Sequence, residues 1–276
     1  MNTKEQKEKL AQESLKIADH ISHIKHRIVV FSGKGGVGKT MVSVNLSYAL
    51  HALGYKTGIL DADITGPNVP KMTGITGDVH TLENKIIPQE SKGVKIISMA
   101  NLLPAGEAII WRGPMRSKMI NQFLGEVKWD NLDFLVADLP PGTGDESLTI
   151  AQSMKPDMAI IVTTPQEVSL IDSARAISMA KKMEIPHIAL IENMSGLICP
   201  HCGHRIDLFG SGGGEKQAKE LNVNFLGAIP INIDARIMAD EGKPVVIENP
   251  KADISAIIFD IVGKIKKIFD ENQPCK

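Results

Sequence analysis

The sequence predicts an α/β fold built on a doubly wound, mostly parallel sheet with helices on both faces. Short apolar segments alternate with segments of helical periodicity along most of the chain. Strands that helices cover on both faces are apolar throughout, so this alternation is typical of a parallel sheet. Ligands of such sheets bind at the carboxyl ends of the strands, where a glycine-rich segment (33–40) and two acidic positions (61–63 and 138) fall.

The individual elements follow from the same periodicities. The predicted strands cover 28–31, 57–60, 94–98, 134–138, 158–162 and 187–191, and the predicted helices cover 38–53, 115–124, 168–183 and 254–269. Residues 1–24 are highly charged with few apolar positions, which favours a peripheral N-terminal helix. No repeat, low-complexity tract or long linker divides residues 25–276. We therefore expect those residues to form a single domain, with a cysteine-containing loop near 199–203.

The charge and hydropathy of the chain argue against several classes of function. Its 31 basic and 32 acidic side chains leave a formal net charge of −1, which gives no overall reason to expect binding to nucleic acid or to an anionic membrane. No apolar run approaches the roughly 18 residues of a membrane-spanning helix. The first nine residues lack the apolar core of a secretory signal. We therefore expect a cytoplasmic protein.

The segment after the first predicted strand has the pattern G-x-x-x-x-G-K-[ST] that binds nucleotide phosphates. Its members are Gly33, Lys34, Gly35, Gly36, Val37, Gly38, Lys39 and Thr40. The glycines allow close approach of the backbone, and the loop N–H groups and the helix N-terminus then face the anion. In this pattern Lys39 reaches the β- and γ-phosphates and the Thr40 hydroxyl holds Mg²⁺. The sequence therefore predicts binding of ATP with Mg²⁺.

Acidic residues at the ends of two other strands complete the predicted nucleotide site. Asp138 ends an apolar strand, as a Mg²⁺-binding aspartate of this type does. Two prolines and Gly142 follow it in a stiff turn that is placed to bring the Gly142 N–H to a γ-phosphate. Asp61 and Asp63, two residues apart, share one face of an extended segment. The alternative for either of them is a cap of the helix that begins near Pro67.

Six motifs in a fixed order resemble the Mrp/ApbC branch of iron–sulfur cluster carrier ATPases, a branch of the deviant P-loop family that includes MinD and ParA. The motifs are Lys34 to Thr40, Asp61 to Pro67, Trp111 to Met115, Asp138 to Asp145, Glu192 to Ser195 and Cys199 to Gly203. The resemblance spans about residues 27–250. The Cys-x-x-Cys and the run Asp-Leu-Pro-Pro-Gly-Thr-Gly-Asp are absent from MinD and ParA, so these motifs are specific to the branch.

The resemblance implies roles for several residues. It implies that Lys34 crosses a homodimer interface to the partner's nucleotide, and that Asp63 orients or deprotonates the attacking water while Asp61 supports Mg²⁺ indirectly. It also implies that Asn193 recognises adenine through its amide and that the strand end at Pro230 packs on the base. Trp111 and Arg112 match the branch, and a packing role is the expectation for Trp111.

Cys199 and Cys202 form the Cys-x-x-Cys, a spacing that lets two thiolates bind one metal centre. Two thiolates are half of the ligands that a Cys₄ zinc site or a [4Fe–4S] cluster needs, so two copies of the chain are required to complete either. His201 and His204 are alternative ligands for zinc, within one chain or across two. The spacing alone leaves zinc and a cluster equally open, and the resemblance favours a bridging [4Fe–4S] cluster, with zinc able to occupy the site in aerobic samples.

Other interpretations of the cysteines and of the last helix remain open at this point. A dithiol redox pair fits less well, because the motif does not begin a helix in a thioredoxin-like pattern. Cys275 is expected to be an exposed tail thiol and not a ligand. No cysteine precedes Cys199, so we expect only the bridging site. The helix predicted over 254–269 is amphipathic, which suits either packing on the sheet or, as in MinD-like ATPases, binding to a membrane.

The sequence thus favours a slowly hydrolysing ATPase that carries a [4Fe–4S] cluster across a homodimer and passes it to apo-proteins. The alternatives are a positioning ATPase of the MinD/ParA class and a zinc-bridged nucleotide switch.

Overall fold

The computed structural model describes residues 15–63, 66–83, 85–102, 113–142 and 144–271. Its strands are β1 (Ile24–Phe31), β2 (Thr57–Asp61), β3 (His80–Leu82), β4 (Lys85–Ile87), β5 (Gln89–Ser91), β6 (Val94–Ser98), β7 (Leu132–Asp138), β8 (Met158–Thr163), β9 (His187–Ile198), β10 (Arg205–Ile206) and β11 (Asn224–Ile231). Its helices are α1 (15–22), α2 (Lys39–Ala52), α3 (Val69–Thr73), α4 (Gly113–Glu126), α5 (Asp145–Met154), α6 (Glu167–Lys182), α7 (Gly213–Glu220), α8 (Ile233–Asp240), α9 (Val245–Glu248) and α10 (Asp253–Glu271).

Nine strands form one sheet in the order β10-β9-β8-β1-β7-β2-β6-β5, with β11 also paired to β9. The pairs that join β11, β9, β8, β1, β7, β2 and β6 are parallel, and only β5 and β10 run antiparallel to their neighbours. The glycine-rich loop leaves β1 in the middle of this order. The predicted fold class is confirmed.

Helices cover both faces of the sheet because successive strand residues point to opposite sides. On β1, Ile28 and Val30 belong to one apolar core, and Val29 and Phe31 belong to the other. The first core also contains buried residues of α2, α9 and α10, and the second contains residues of α1, α4, α5 and α6. The carboxyl ends of the strands therefore lie in a crevice with a packed layer on each side.

The described part of the N-terminal segment packs more closely on the domain than we expected for a peripheral helix. Ile17 and Ile21 of α1 are buried in the second core, and β1 begins at Ile24, before the predicted domain boundary at residue 25. Apolar residues four apart lie on one face of a helix, so even this sparsely apolar segment presents a stripe to the core.

The largest difference from the predicted elements is in β9. The prediction ended this strand at residue 191 and treated the region around the cysteines as a loop, but β9 continues to Ile198 and pairs there with β10. The polar residues and the glycine of 192–196 interrupt the apolar pattern, which hid the continuation from a sequence-based prediction. The cysteines consequently lie at the tip of a β-hairpin.

The last helix, α10, packs on the sheet. Its apolar side chains, among them Ile258, Ile261 and Ile265, are buried in the first core, and Lys266 lies on the outer side over the ring of Tyr55. The apolar face of α10 that suggested membrane binding is thus buried within the protein. Within the described ranges, we find no helix with the length and hydropathy that a membrane span requires.

Candidate functional site

The glycine-rich loop is held in a conformation that requires glycine. Gly36 and Gly38 have φ angles of 78° and 81°, in the left-handed region that other residues rarely adopt. Gly38 precedes the first residue of α2, and a Cβ there would lie 2.2 Å from Asn193 Nδ2. A Cβ on Gly33 would lie 2.3 Å from the backbone of Asp172 in α6. The loop is therefore fixed between α6 and β9, with its N–H groups at the N-terminus of α2.

Asp138 is the centre of a buried polar cluster below this loop. Thr40 Oγ1 donates to its Oδ2 at 2.7 Å, and Ser43 Oγ donates to its Oδ1 at 2.6 Å. Asp138 is fully buried at the end of β7, which lies beside β1 in the sheet. The hydroxyl of Thr40 and the carboxylate of Asp138 are the oxygen donors that Mg²⁺ prefers, so these residues fit that ion.

The Lys39 ammonium has no hydrogen-bond partner although it is buried. Its Nζ lies 2.8 Å from Asp138 Oδ2, so the charges are paired, but the direction of approach does not form a hydrogen bond. A buried ammonium has three donors, and leaving them unused is costly. Because this cation lies beside the glycine-rich loop at the N-terminus of α2, its environment fits the phosphates of a nucleotide.

Asp61 ends β2 directly opposite Asp138 in the neighbouring strand. Its carboxylate is fully buried, accepts Ser98 Oγ at 2.8 Å and accepts the Asp63 N–H at 3.2 Å. Burial, followed by the charge of Asp138, raises the pKa of Asp61 to about 8, while Ser98 and Lys39 oppose the rise. The nucleotide-free site thus favours the neutral acid at Asp61.

Asp63 lies at the edge of the same crevice and is nearly buried. Its Oδ1 accepts the Gly66 N–H at 3.2 Å, as a carboxylate does in a turn. The helix that follows, α3, begins at Val69 and has no side-chain cap from Asn68. A contact of Asp63 thus lies in the turn before this helix, and a cap of α3 by either acid stays an alternative.

Gly142 has a φ angle of 90°, and its N–H donates to the Ser32 carbonyl at 2.8 Å. We expected this N–H to face a γ-phosphate, and it is instead bonded to the residue that precedes the glycine-rich loop. Pro141 lies 4.0 Å from the position of a Cβ on Gly35. The loop after β7 therefore rests on the phosphate-binding loop, and it must exchange one hydrogen bond to reach a phosphate.

Asn193 is buried beside the glycine-rich loop, and its Nδ2 donates to the Val37 carbonyl at 2.8 Å. One amide hydrogen is thus already used, and the second hydrogen and the amide oxygen remain for a base edge. Ile229 of β11 pairs with Asn193, so Pro230 follows at the same end of the sheet. Both residues stay candidates for the adenine site.

Lys34 is half-buried on the outer side of the loop. Across the described ranges, no ion pair or hydrogen bond of its side chain is found, and only its carbonyl is used, by Ser32 Oγ at 2.8 Å. An ammonium without an internal partner is free to reach a group outside the chain. This is consistent with the expected role across a dimer and leaves that role a prediction.

Cys199 and Cys202 are free thiols at the tip of the β9–β10 hairpin, Cys199 partly exposed and Cys202 exposed. Cys199 N–H donates to the His204 carbonyl at 2.9 Å and Gly203 N–H to the Cys199 carbonyl at 2.9 Å, which closes the tip. The backbone N–H groups of Cys202 and His201 lower the pKa of the Cys199 thiol. This favours the thiolate, which is the form that binds metals.

The described part of one chain does not complete a metal site around these thiols. No group of three or more His, Cys, Asp or Glu side chains in the described ranges is arranged to hold a metal ion. His201 and His204 are exposed on the hairpin but do not add ligands to the pair. Within those ranges the cysteine pair supplies two ligands, and a second copy of the pair would supply the other two.

The sequence analysis assigned no role to three polar residues of the site. Ser43 lies one helical turn after Lys39 and faces Asp138, a spacing that could have identified it. Ser98 reaches Asp61 only because β6 pairs with β2, which no local pattern reveals. Glu192 is a fully buried carboxylate one residue before Asn193. Trp111, Arg112 and Cys275 lie outside the described residues.

Comparisons with known proteins identify the family of the chain. A family model described as ParA, "NUBPL iron-transfer P-loop NTPase", matches residues 23–266. An iron–sulfur cluster carrier protein of Methanocaldococcus jannaschii is 52% identical over 267 residues, which cover 94% of this chain and 92% of that protein. One of Pyrococcus horikoshii is 50% identical over 259 residues, 88% of each chain.

Solved structures show the same fold. A nucleotide-binding protein in complex with ADP from Archaeoglobus fulgidus has a TM-score of 0.77 and 37% identity, covering 87% of this chain and 95% of that one. MinD complexed with Mg-ADP from P. horikoshii, at 24% identity, has a TM-score of 0.66 and covers 91% and 99%. The chain belongs to the iron-transfer P-loop NTPase family, the family of the iron–sulfur cluster carrier proteins.

Proposed function

We propose that this protein is an ATP-hydrolysing carrier that binds a [4Fe–4S] cluster between two copies of the chain and transfers it to apo-proteins in the cytoplasm. The observation that carries the proposal is the pair of free thiols at an exposed hairpin tip, on the same strand that contacts the phosphate-binding loop through Asn193. A cluster at such a tip is accessible to an acceptor protein.

The number of thiols supports the shared site. Cys199 and Cys202 supply two of the four thiolates that a [4Fe–4S] cluster takes, and no third ligand approaches them within the described part of the chain. A second copy of the same hairpin supplies the remaining two. The cluster is therefore cargo of a homodimer.

On the nucleotide side, the residues present are suited to binding and positioning ATP. Lys39 offers its unused ammonium to the β- and γ-phosphates, and the loop N–H groups offer further donors. Thr40 and Asp138 would hold Mg²⁺, which neutralises charge on the phosphates when it is bound. Asp63, at the crevice edge, orients the attacking water and accepts its proton.

Two residues are placed to respond to the γ-phosphate. The Gly142 N–H, which donates to the Ser32 carbonyl, exchanges that bond for the phosphate and moves the loop after β7. Lys34 extends toward the nucleotide of the second copy. ATP binding and hydrolysis thus change the geometry of the dimer that holds the cluster, and turnover is slow, as for other nucleotide switches.

A positioning ATPase of the MinD/ParA class is the second candidate, and one observation weighs against its membrane version. The apolar face of α10 is buried against α2 and β11 and is therefore not available to a bilayer. The net charge of −1 gives no basis for nucleic-acid binding.

Anaerobic reconstitution with iron and sulfide tests the proposal. We expect about two iron atoms per chain, the absorption of a [4Fe–4S] cluster, and activation of an added apo-iron–sulfur enzyme by the loaded protein. The double variant Cys199→Ser/Cys202→Ser should bind no cluster and should still hydrolyse ATP. Full iron content in that variant, or zinc as the sole metal under anaerobic conditions, would contradict the proposal.

A further inference from the structure

We propose that Glu192 is a positioning residue that couples the nucleotide loop to the cysteine hairpin. The inference rests on the proposed function and adds to it the residue that links the nucleotide end of β9 to its cysteine end. Glu192 precedes Asn193, which contacts the phosphate-binding loop, and it lies at the start of the bend that leads to the cysteines.

The bend in β9 is an irregular segment between two regular ones. Asn193 pairs with Ile229, and Leu197 pairs with Ile231, so β9 advances by four residues where β11 advances by two. Within the bend, Met194 and Gly196 have φ angles of 58° and 78°. A bulge of this kind re-aims the strand that follows it. The direction of the hairpin is therefore determined at residues 194–196.

The Glu192 carboxylate holds this bend against α7. Oε1 accepts Ser195 Oγ at 2.7 Å and the Gly212 N–H at 3.0 Å, and Oε2 accepts the Gly214 N–H at 2.6 Å. The residue is fully buried, and no described cation pairs with it. Its charge is balanced by the N–H groups at the N-terminus of α7.

The contact on the α7 side is tight. A Cβ on Gly214 would lie 3.0 Å from Glu192 Cβ, and Gly212 has a φ angle of 76°. A larger residue at 214 would push the carboxylate away from the helix. The approach of α7 to β9 is thus adapted to this one side chain.

On the side of the cysteines, the bend is hydrogen-bonded to the hairpin. The Ser195 carbonyl accepts Arg205 Nη2 at 3.3 Å, and Arg205 Nε donates to Asp207 at 2.8 Å. Contacts therefore run from the Val37 carbonyl through Asn193, the bend and Arg205 to β10, the strand that pairs with the end of β9. A shift of Asn193 on nucleotide binding is transmitted to the hairpin as long as Glu192 fixes the bend.

Glu192→Gln tests this role because it keeps the shape of the side chain but turns one acceptor into a donor that faces an N–H group. The measurement is the rate of cluster release to an apo-acceptor with and without ATP. We expect the ratio of the release rate with ATP to the release rate without ATP to fall by roughly 2- to 30-fold, the range seen for residues that modulate coupling. Iron content per chain and the KM for ATP should remain within about twofold of the parent values.

Glu215→Gln is the matched control, since it removes a charge from the exposed first turn of the same helix and should leave the ratio unchanged. Ser195→Ala removes one of the three hydrogen bonds to the Glu192 carboxylate without changing charge, so it should lower the ratio less. It replaces Glu192→Gln as the test variant if Glu192→Gln does not fold. An unchanged ratio in whichever of the two variants folds and retains the cluster would overturn the inference. Failure of the parent protein to bind iron would instead overturn the proposed function.

Discussion

The two ends of the proposed machinery differ in how completely one chain builds them. At the nucleotide end, Asp61 and Asp138 are fully buried and each accepts two or more hydrogen bonds. At the cysteine end, Cys199 is partly exposed, and Cys202, Ile198 and Ile206 are exposed. The first region is organised before its ligand arrives. In the proposed dimer, the second supplies half of a ligand set and a second copy of the chain supplies the other half.

This difference predicts that substitutions at the nucleotide end change activity strongly while substitutions on the hairpin leave the fold intact. Lys39→Met should have the largest effect. It removes the ammonium that lies 2.8 Å from Asp138 Oδ2 and that the proposed function assigns to the phosphates, so we expect ATP turnover to fall by about 10²- to 10³-fold, as for other groups that stabilise transition-state charge. Steady-state ATP hydrolysis measures it.

The control for Lys39→Met is Lys182→Met, which removes an exposed lysine at the end of α6. It should hydrolyse ATP at the parent rate. Retained cluster binding in Lys39→Met would show that the two ends are built separately, whereas ATP turnover close to the parent rate would place the phosphates elsewhere.

Ile261→Ala tests the interpretation of α10 as part of the core. Ile261 is fully buried and packs near Gly227 of β11, so truncation should lower the free energy of unfolding by about 2–5 kcal/mol. Chemical denaturation measures the change. A loss below about 0.5 kcal/mol, the usual effect at a surface position, would mean that α10 is not docked in solution.

Asp61 should make the stability of the nucleotide-free, Mg²⁺-free protein depend on pH. Its pKa is raised from 3.8 to about 8 by burial, so between those values the folded state binds a proton that the unfolded state has lost. The contribution of Asp61 to stability is therefore fully present below pH 3.8. It is lost as the pH rises toward about 8, at a slope of about 1.4 kcal/mol per pH unit.

Asp61→Asn removes this dependence, so the difference in unfolding free energy between variant and parent should grow in favour of the variant as the pH rises through that window. Thermal unfolding at several pH values measures it. A difference that does not change with pH would show that Asp61 is already ionised in the folded protein.

The smallest effect is expected on the hairpin. Arg205→Ala removes an ion pair with Asp207 in which both side chains are about half exposed, and such pairs contribute about 0–1 kcal/mol. The unfolding free energy should stay within about 1 kcal/mol of the parent value. A larger loss, seen by chemical denaturation, would make the hairpin part of the rigid core and weaken the contrast between the two ends.

Local patterns were sufficient to predict the fold and the phosphate-binding loop, because both depend on periodicity and on glycine at defined positions. They also indicated Asp138 and Asp63, which follow apolar strands. The roles of Ser98 and Glu192 depend on which strands and helices become neighbours, and no local pattern encodes that. The hairpin was missed for a related reason, since β10 has two residues and pairs with a part of β9 that looks irregular in sequence.

The central claim is that two chains share one cluster, and native mass spectrometry of the anaerobically reconstituted protein tests it most directly. We predict a species with the mass of two chains and one [4Fe–4S] cluster, absent from Cys199→Ser/Cys202→Ser protein. A cluster carried by a single chain, or a two-chain species that keeps its cluster without these cysteines, would contradict the account.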